Sequence, residues 1–224
     1  MKSIDKYWAS PFEPIIIADA GCENYLRVAD TCGYDVRFVQ RWSDGRRDQV
    51  YLKMMADTMV DPPAETILYM DSDCLFTKHS ETSDFCVDGR PMIKMRSYHD
   101  ACSIWPGCRA TYQGYRHAVW ECLDIGTEWE YMQVQPFLFF KDTVKKVREE
   151  IETRNGQSLK EVMRRYPSNT FSEFNFFGAY AHSLEDDRYD FLSPDKWGEP
   201  RMRQFQSRPE TPDSERVEIE RILK

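Results

Sequence analysis

The sequence has little of what marks secreted, membrane-spanning or nucleic-acid-binding proteins. The N-terminal MKSIDKYWAS has no apolar run of the kind found in signal peptides, and no stretch of about 18 apolar residues occurs. The formal net charge of -8 excludes a global positive field that would attract nucleic acid or an anionic membrane, although a local basic patch stays compatible with it. We therefore expect a soluble, cytoplasmic protein without a membrane span.

Cysteine pairs with metal-binding or redox spacing are absent as well. The 7 cysteines are an odd number, include no C-x-x-C pair and have no histidines at matching spacing. This pattern excludes a zinc knuckle and a disulfide framework, and it predicts reduced thiols. What the chain does have is 224 residues with 41% hydrophobic content, enough for one core, so we predict a single domain over residues 1–224.

Strand and helix patterns alternate in the first third of the chain. EPIIIADAG is typical of a strand buried on both faces, CENYLRVADTCG has helical spacing, and YDVRFVQ alternates like a strand. A helix capped by Asp48 follows, and the apolar ILYM predicts a third strand. This order predicts an α/β fold with a Rossmann-type, mostly parallel sheet flanked by helices.

The rest of the chain is less regular. The stretch after Phe76 is polar, aromatic and rich in turn residues, which is typical of functional insertions. EYMQVQPFLFF predicts a strand, and KDTVKKVREEIETRNG predicts a helix ended by Gly156. Ser158 and Glu161 have the spacing of a capping box. The tail predicts a short closing helix with four apolar residues: Val217, Ile219, Ile222 and Leu223.

Two aspartates follow the third predicted strand in TILYMDSDCLF. In a strand, Asp71 and Asp73 would point to the same face, at the carboxyl end where open α/β sheets bind ligands. Two hard oxygen donors there suit a divalent cation that also binds a diphosphate. The alternative is that Asp and Ser occupy this position because they favour turns.

A second group of candidate residues lies in SNTFSEFNFFGAY. We expect burial among aromatic rings to raise the pKa of Glu173, which suits a general base that takes a proton from an acceptor hydroxyl. The alternative is an ordinary helix start, with Ser172 as the N-cap and the phenylalanines in the core. The neighbouring rings are those of Phe171, Phe174, Phe176 and Phe177.

Other polar residues are candidates for contacts with a ligand. Asp19 ends an earlier strand, where it would meet a ribose or base, or it caps the helix that starts near Cys22. Gln135 lies where it would hydrogen-bond a sugar. The basic residues of the tail would bind phosphates or belong to a solvated face, and these are Lys196, Arg201 and Arg203.

Two enzyme families place a D-x-D motif after such a strand. In haloacid-dehalogenase-like phosphatases the first Asp, here Asp71, is the nucleophile, but Leu75 stands where those enzymes have Thr or Val. The chain more closely resembles GT-A glycosyltransferases, in particular the small DUF6492-like enzymes common in bacteria and phages. The resemblance covers roughly residues 10 to 192, and its most specific parts are the D-x-D motif and the S-E-F-N block.

The resemblance implies specific roles for these residues. It implies that Asp71 and Asp73 bind Mn²⁺ or Mg²⁺ and the donor diphosphate, that His182 is a third metal ligand, and that Glu173 is catalytic. The alternative for His182 is a structural role, which is the more common one for a lone histidine. The same resemblance places two further residues beside Glu173 in the donor site, namely Ser172 and Asn175. IIIADAG corresponds to the second strand of such folds and only MKSIDKYW precedes it, so we expect a chain that lacks the first β unit, starts late or is shortened.

The expected activity is transfer of a hexose from a UDP-sugar to an acceptor hydroxyl. The acceptor is either a glycan or a hydroxymethylated DNA base, and a phage-encoded enzyme would work in the host cytoplasm. DNA would require one basic patch from Arg90, Lys94, Arg96, Arg109 and Arg116. The alternatives are the phosphatase and a non-catalytic nucleotide- or glycan-binding module. We expect residues 1–77 to bind the nucleotide and 78–192 the acceptor, with 193–224 as a tail.

Overall fold

The computed structural model describes residues 2–20, 34–205 and 212–223, without the side chains of Lys2 and Asp19. The predicted helix CENYLRVADTCG and the side chain of Asp19 therefore lie outside the described residues. The described α-helices are α1 (Lys2–Tyr7), α2 (Gly45–Met54), α3 (Tyr98–Ile104), α4 (Arg109–Leu123), α5 (Lys141–Asn155), α6 (Leu159–Arg164), α7 (Glu173–Leu184) and α8 (Asp213–Leu223).

The described strands are short, and several lie in the irregular half of the chain. They are β1 (Ile15–Asp19), β2 (Asp35–Val39), β3 (Thr66–Tyr69), β4 (Cys74–Phe76), β5 (Cys86–Val87), β6 (Arg90–Lys94), β7 (Arg96–Ser97), β8 (Trp129–Glu130), β9 (Phe137–Phe140), β10 (Asp190–Leu192) and β11 (Met202–Gln204).

The described strands pair in both directions. β1 and β2 are parallel, as the β-α-β pattern predicts, and β10 is parallel to β6. β3 instead pairs antiparallel with β9, β4 pairs antiparallel with β11, and the β5–β6 and β7–β8 pairs are also antiparallel. The mixed α/β class is confirmed, whereas the mostly parallel Rossmann-type sheet is not. An apolar run signals burial on both faces, but it does not specify the direction of the neighbouring strand.

The core forms where α4, α5 and α7 pack together around β3 and β9. Val144, Val147 and Ile151 of α5 are fully buried at helical spacing. α5 ends at Gly156, whose φ of 59° lies in the left-handed region that favours glycine. The capping box of Ser158 and Glu161 is also present at the start of α6. These local predictions are confirmed.

The start of α2 differs from the prediction. Asp44 is the N-cap and accepts a hydrogen bond from the Arg47 amide, whereas Asp48 lies in the first turn. Asp48 is buried and accepts from the Trp42 amide at 3.2 Å. The helix therefore begins one turn earlier than predicted, because Asp44 satisfies the free amides first.

The tail packs against the N-terminal part of the chain. Lys6 and Tyr7 of α1 donate hydrogen bonds to the carbonyl of Ile222 in α8, at 3.0 and 3.2 Å. The closing helix is thus confirmed, and its residue Ile222 is buried. Within the described ranges, no helix combines the length and the apolar character needed to cross a bilayer.

Candidate functional site

The D-x-D motif forms a turn between β3 and β4. β3 ends at Tyr69, the Cys74 amide donates to the Asp71 carbonyl at 3.0 Å, and β4 starts at Cys74. The position directly after a strand agrees with the prediction, although β3 buries only its alternate residues Ile67 and Tyr69. The assumption that Asp71 and Asp73 extend from a strand toward one face is wrong, since a turn directs the two side chains to different partners.

The Asp71 carboxylate is bound by nitrogen donors from two parts of the chain. The side-chain oxygen of Gln135 accepts a hydrogen bond from the Asp71 backbone amide at 2.8 Å. The side-chain nitrogen of Gln135 donates a hydrogen bond to the Asp71 carboxylate. From α2, Gln49 donates at 3.2 Å and Lys53 forms an ion pair at 2.7 Å. Gln49 and Lys53 are four residues apart and so lie on one face of the helix. Both oxygens of Asp71 are therefore engaged.

Lys53 connects Asp71 to Glu173. Its ammonium lies 2.7 Å from Asp71 and 2.9 Å from Glu173, and the side chains of Lys53 and Glu173 are only 16% and 5% exposed. Burial lowers the pKa of Lys53, but the charges of Glu173 and Asp71 outweigh burial and leave the pKa raised. Two of the predicted site residues are thus brought together by a lysine that the sequence analysis did not identify.

A sequence signal for Lys53 exists in hindsight. α2 buries Val50 and Met54, and Lys53 is next to Met54 on the part of the helix that faces the core. A lysine adjoining an apolar helix face, one helix before a D-x-D turn, is a candidate counter-ion for the carboxylates.

Aromatic rings surround Glu173 as predicted. Phe174 stacks on Phe137 with ring centroids 3.8 Å apart, and Phe171 stacks on Phe176 at 4.4 Å. The Lys53 ammonium also lies 4.9 Å from the centroid of the Phe174 ring. The rings exclude water from the Lys53–Glu173 ion pair and strengthen its electrostatics.

Ser172 and Asn175 belong to a buried polar network behind Glu173. Asn175 donates to Ser172 and to Glu130, both at 3.1 Å, and its carbonyl accepts from Tyr98 and from the Tyr131 amide. Ser172 occupies the N-cap position of α7, but its side chain makes no capping hydrogen bond. Because protein groups already satisfy the Asn175 amide, its contact with a donor stays a prediction.

Glu130 is a buried carboxylate that the sequence analysis missed. It is 1% exposed, and burial raises its pKa, opposed by hydrogen bonds from Asn175, the Met132 amide and Gln133 and by the charge of Arg96. The signal was hidden because Glu130 lies in β8, a strand of two residues without a local pattern, and because Asn175 of α7 and Arg96 of β7 come from distant segments.

Asp73 is held more loosely than Asp71. The Gln204 side chain donates to both carboxylate oxygens, at 3.2 and 3.3 Å, and the Phe205 amide donates to the Asp73 carbonyl at 2.8 Å. No described lysine or arginine pairs with it. Burial and the charges of Asp73 and Asp71 raise the pKa of the neighbouring Cys74 to about 12, so this thiol stays protonated.

His182 does not join the aspartates. It lies nine residues beyond Glu173, about 14 Å along the axis of α7. Its Nδ1 is 2.8 Å from the Tyr131 hydroxyl, and its ring stacks on Phe191 with centroids 4.3 Å apart. Burial lowers the pKa of His182, with Asp186 opposing. The described contacts of His182 are those of a partly buried structural histidine, and its role as a metal ligand stays a prediction.

The donor set fits a divalent cation only in part. Among the described residues, no three His, Cys, Asp or Glu side chains form a metal-binding group. The carboxylates have the oxygen chemistry that Mn²⁺ and Mg²⁺ prefer, and Asp73 lacks a charged partner. Asp71, in contrast, is taken by the ammonium of Lys53. A metal ligated by both aspartates therefore requires Asp71 to exchange Lys53 for the ion.

A basic cleft opens beside the D-x-D turn. Its volume is about 380 Å³, and Gln135, which binds Asp71, forms part of its wall. Charged residues from β6, from the loop after β4 and from the tail line it: Lys78, Asp84, Lys94, Lys196, Glu199 and Arg201. Gln135 therefore lies between the cleft and the ion pairs of Asp71, Lys53 and Glu173, because it lines the cleft and hydrogen-bonds to Asp71.

The site and fold define a mixed α/β protein in which two carboxylates lie in the turn after a short, half-buried strand. No protein-family model matches the chain, and no curated protein matches it. The geometry of these residues is therefore what supports a function.

Proposed function

We propose that the protein is a glycosyltransferase of GT-A-like fold that transfers a hexose from a UDP-sugar to an acceptor hydroxyl. The observation that carries this proposal is the convergence of Asp71 and Glu173 on the ammonium of Lys53, at the end of β3 and beside a cleft. The D-x-D turn and the S-E-F-N block, the two most specific parts of the resemblance, thus meet in space. The two blocks are about 100 residues apart in the chain, so local structure does not bring them together.

Glu173 has the position of the catalytic base in this proposal. Glu173 is buried, is the first residue of α7, and its carboxylate is held by Lys53. A carboxylate fixed in this way accepts the proton of an acceptor hydroxyl that lies within hydrogen-bond reach. Lys53 fixes the orientation of the Glu173 carboxylate relative to Asp71 and is a positioning residue.

Asp73, together with Asp71 once it leaves Lys53, would hold the Mn²⁺ or Mg²⁺ that this class of enzyme uses. When bound, such an ion neutralises charge on the leaving diphosphate. The ammonium of Lys53 adds a fixed positive charge at the same place. Gln135 keeps the Asp71 backbone and carboxylate in position through its two hydrogen bonds.

The described charges favour a small glycan over DNA as the acceptor. Arg90 pairs with Asp190 at 2.9 Å, and Arg116 pairs with Glu128, so two members of the predicted basic patch are neutralised. The Arg96 guanidinium stacks between Trp105 and Trp197. A patch that binds phosphates along a duplex needs unpaired cations, and Arg90 and Arg116 do not offer them, so the predicted patch is reduced to Lys94, Arg96 and Arg109.

The phosphatase alternative receives less support. A nucleophilic Asp71 needs an oxygen that is free to attack phosphorus, and both of its oxygens accept hydrogen bonds or an ion pair. A non-catalytic binding module would retain the cleft and the turn but would release no nucleotide from a sugar donor.

The proposal is tested by the turnover of Glu173→Gln. We expect the wild-type protein to release UDP from one UDP-hexose with Mn²⁺ and an acceptor, and Glu173→Gln to do so on the order of 10²-fold more slowly. Donor affinity, measured by calorimetry with UDP and Mn²⁺, should be retained because the substitution preserves shape.

The matched control is Glu149→Gln, which changes a half-exposed glutamate of α5. Equal turnover of Glu173→Gln and Glu149→Gln would leave Glu173 with a structural role. UDP binding with no release from any donor would identify a binding module, and hydrolysis of simple phosphate esters would identify a phosphatase.

A further inference from the structure

The basic cleft beside the D-x-D turn has an uneven balance of charge. Arg201 pairs with Asp84 at 2.6 Å, and Lys78 pairs with Glu199, so four of its charged residues neutralise one another. Lys94 and Lys196 form no ion pair with any described residue. The cleft therefore has two unpaired positive charges.

Lys94 is built into the wall of the cleft. Its strand, β6, buries Pro91 and Ile93 and turns Met92 and Lys94 to the opposite face, where both line the cleft. β10 pairs alongside and places Leu192 opposite Lys94. Lys94 is half-buried, and this burial lowers the pKa of its ammonium.

A partly buried ammonium without a counter-charge is costly, and an anionic ligand would remove that cost. Lys196 is exposed at the rim of the cleft, where its flexible side chain can contact a ligand as it enters. The remaining wall is largely apolar, with Phe85, Val134 and Pro136. This combination of an apolar wall and two unpaired cations is typical of a site for a small molecule with one anionic end.

The cleft adjoins the candidate active site at Gln135, which lines the cleft and hydrogen-bonds to Asp71. A molecule whose anionic group meets Lys94 and Lys196 would therefore lie in the same cleft as Gln135, beside the Asp71 end of the candidate site. The volume of about 380 Å³ suits a monosaccharide that carries such a group and is too small for a nucleic-acid duplex.

We infer that the cleft binds the acceptor, and that the acceptor is a small sugar bearing a phosphate or carboxylate that Lys94 and Lys196 hold. This inference rests on the proposed glycosyltransferase function and names its substrate class. The two lysines are binding residues, and they do not take part in bond formation.

The test is calorimetric titration of the whole chain with three probes: glucose 6-phosphate, glucuronate and neutral glucose. We expect one of the two anionic probes to bind at least tenfold more tightly than glucose, and the stronger one identifies the anionic group. Lys94→Gln and Lys196→Gln should each weaken this binding about tenfold or more, the usual scale of a charged hydrogen bond. Lys145→Gln, an exposed lysine of α5, should not.

A second titration separates this inference from the proposed function. Saturating UDP should leave the anionic probe bound, because donor and acceptor occupy different places. Displacement of the probe by UDP would assign the cleft to the donor and overturn the inference while leaving a glycosyltransferase possible. Equal binding of all three probes, or unchanged binding in both lysine variants, would also overturn it. Because Lys196 is exposed, its substitution does not threaten the fold.

Discussion

Lys53 places a buried ammonium between two carboxylates that lie 102 residues apart in the chain, Asp71 and Glu173. Such an arrangement keeps the carboxylates close without mutual repulsion, and it does so through one side chain. The same ammonium competes with any divalent ion for Asp71. We therefore expect Lys53 to affect both the stability of the site and any affinity of Asp71 for a metal ion.

Replacing Lys53 with Met should destabilise the metal-free protein by roughly 3–5 kcal/mol, because it leaves the buried Glu173 and the partly buried Asp71 without a counter-charge. Mn²⁺ should recover part of this loss, since the ion then has Asp71 free to bind. The measurement is the free energy of unfolding from denaturant titrations, with and without Mn²⁺.

Asp73→Asn provides the comparison, because it removes the carboxylate that has no charged partner. In the Lys53→Met background, Asp73→Asn should abolish the stabilisation by Mn²⁺. If Lys53→Met unfolds as readily as wild type, the ion pairs contribute nothing measurable. If Mn²⁺ stabilises the Asp73→Asn double variant fully, the metal binds elsewhere.

Among the elements, α7 connects the site to the core. Its first residue is Glu173, and its interior residues Phe176, Phe177 and Ala181 are fully buried. Gly178 faces the ring of Tyr131, where a Cβ would lie 2.3 Å from Cγ of that ring. The helix can therefore approach the 129–132 segment closely only with glycine at this position.

Gly178→Ala should destabilise the protein by about 1–3 kcal/mol, because the added methyl forces Tyr131 and the helix apart. Thermal unfolding measures the loss. Gly126→Ala is the matched control, since nothing lies within 4 Å of its added Cβ. Equal melting temperatures for the two variants would show that the Tyr131 ring moves aside without cost.

The same elements show what the sequence reveals. α5 and the capping box of α6 were predictable because their signals are local: apolar spacing, a glycine stop and a Ser–Glu pair. The antiparallel partner of β3 was not, since β9 lies about 70 residues away and no local pattern records the pairing. The role of Lys53 was hidden for the same reason, because its partners come from distant segments.

For the molecule as a whole, His182 links stability to pH. Burial lowers its pKa in the folded state, so the unfolded chain binds a proton more readily. The free energy of unfolding should therefore fall as the pH drops from about 7 to 5, through the ordinary histidine pKa of about 6.5. Above that range the ring is neutral in both the folded and the unfolded state, so His182 does not change the free energy of unfolding with pH.

We expect His182→Gln to reduce the slope of the free energy of unfolding against pH in this range. The reduction should be smaller than about 1.4 kcal/mol per pH unit, the slope that one fully coupled proton gives. The Gln amide can still meet the Tyr131 hydroxyl. Denaturant titrations at several pH values measure the slope, with His99→Gln, an exposed histidine, as the reference. Parallel curves for the wild type and His182→Gln would contradict the assignment.

The contact between the tail and the D-x-D turn has a consequence for the newly made chain. Gln204, which binds the Asp73 carboxylate, lies 131 residues after it in sequence, and β11 pairs with β4 beside the turn. At a synthesis rate of about 10 residues per second, the ribosome finishes this partner roughly 13 seconds after Asp73. Throughout that interval the turn lacks its antiparallel neighbour, so a nascent chain forms the contact between Gln204 and Asp73 only after the intervening residues have been made.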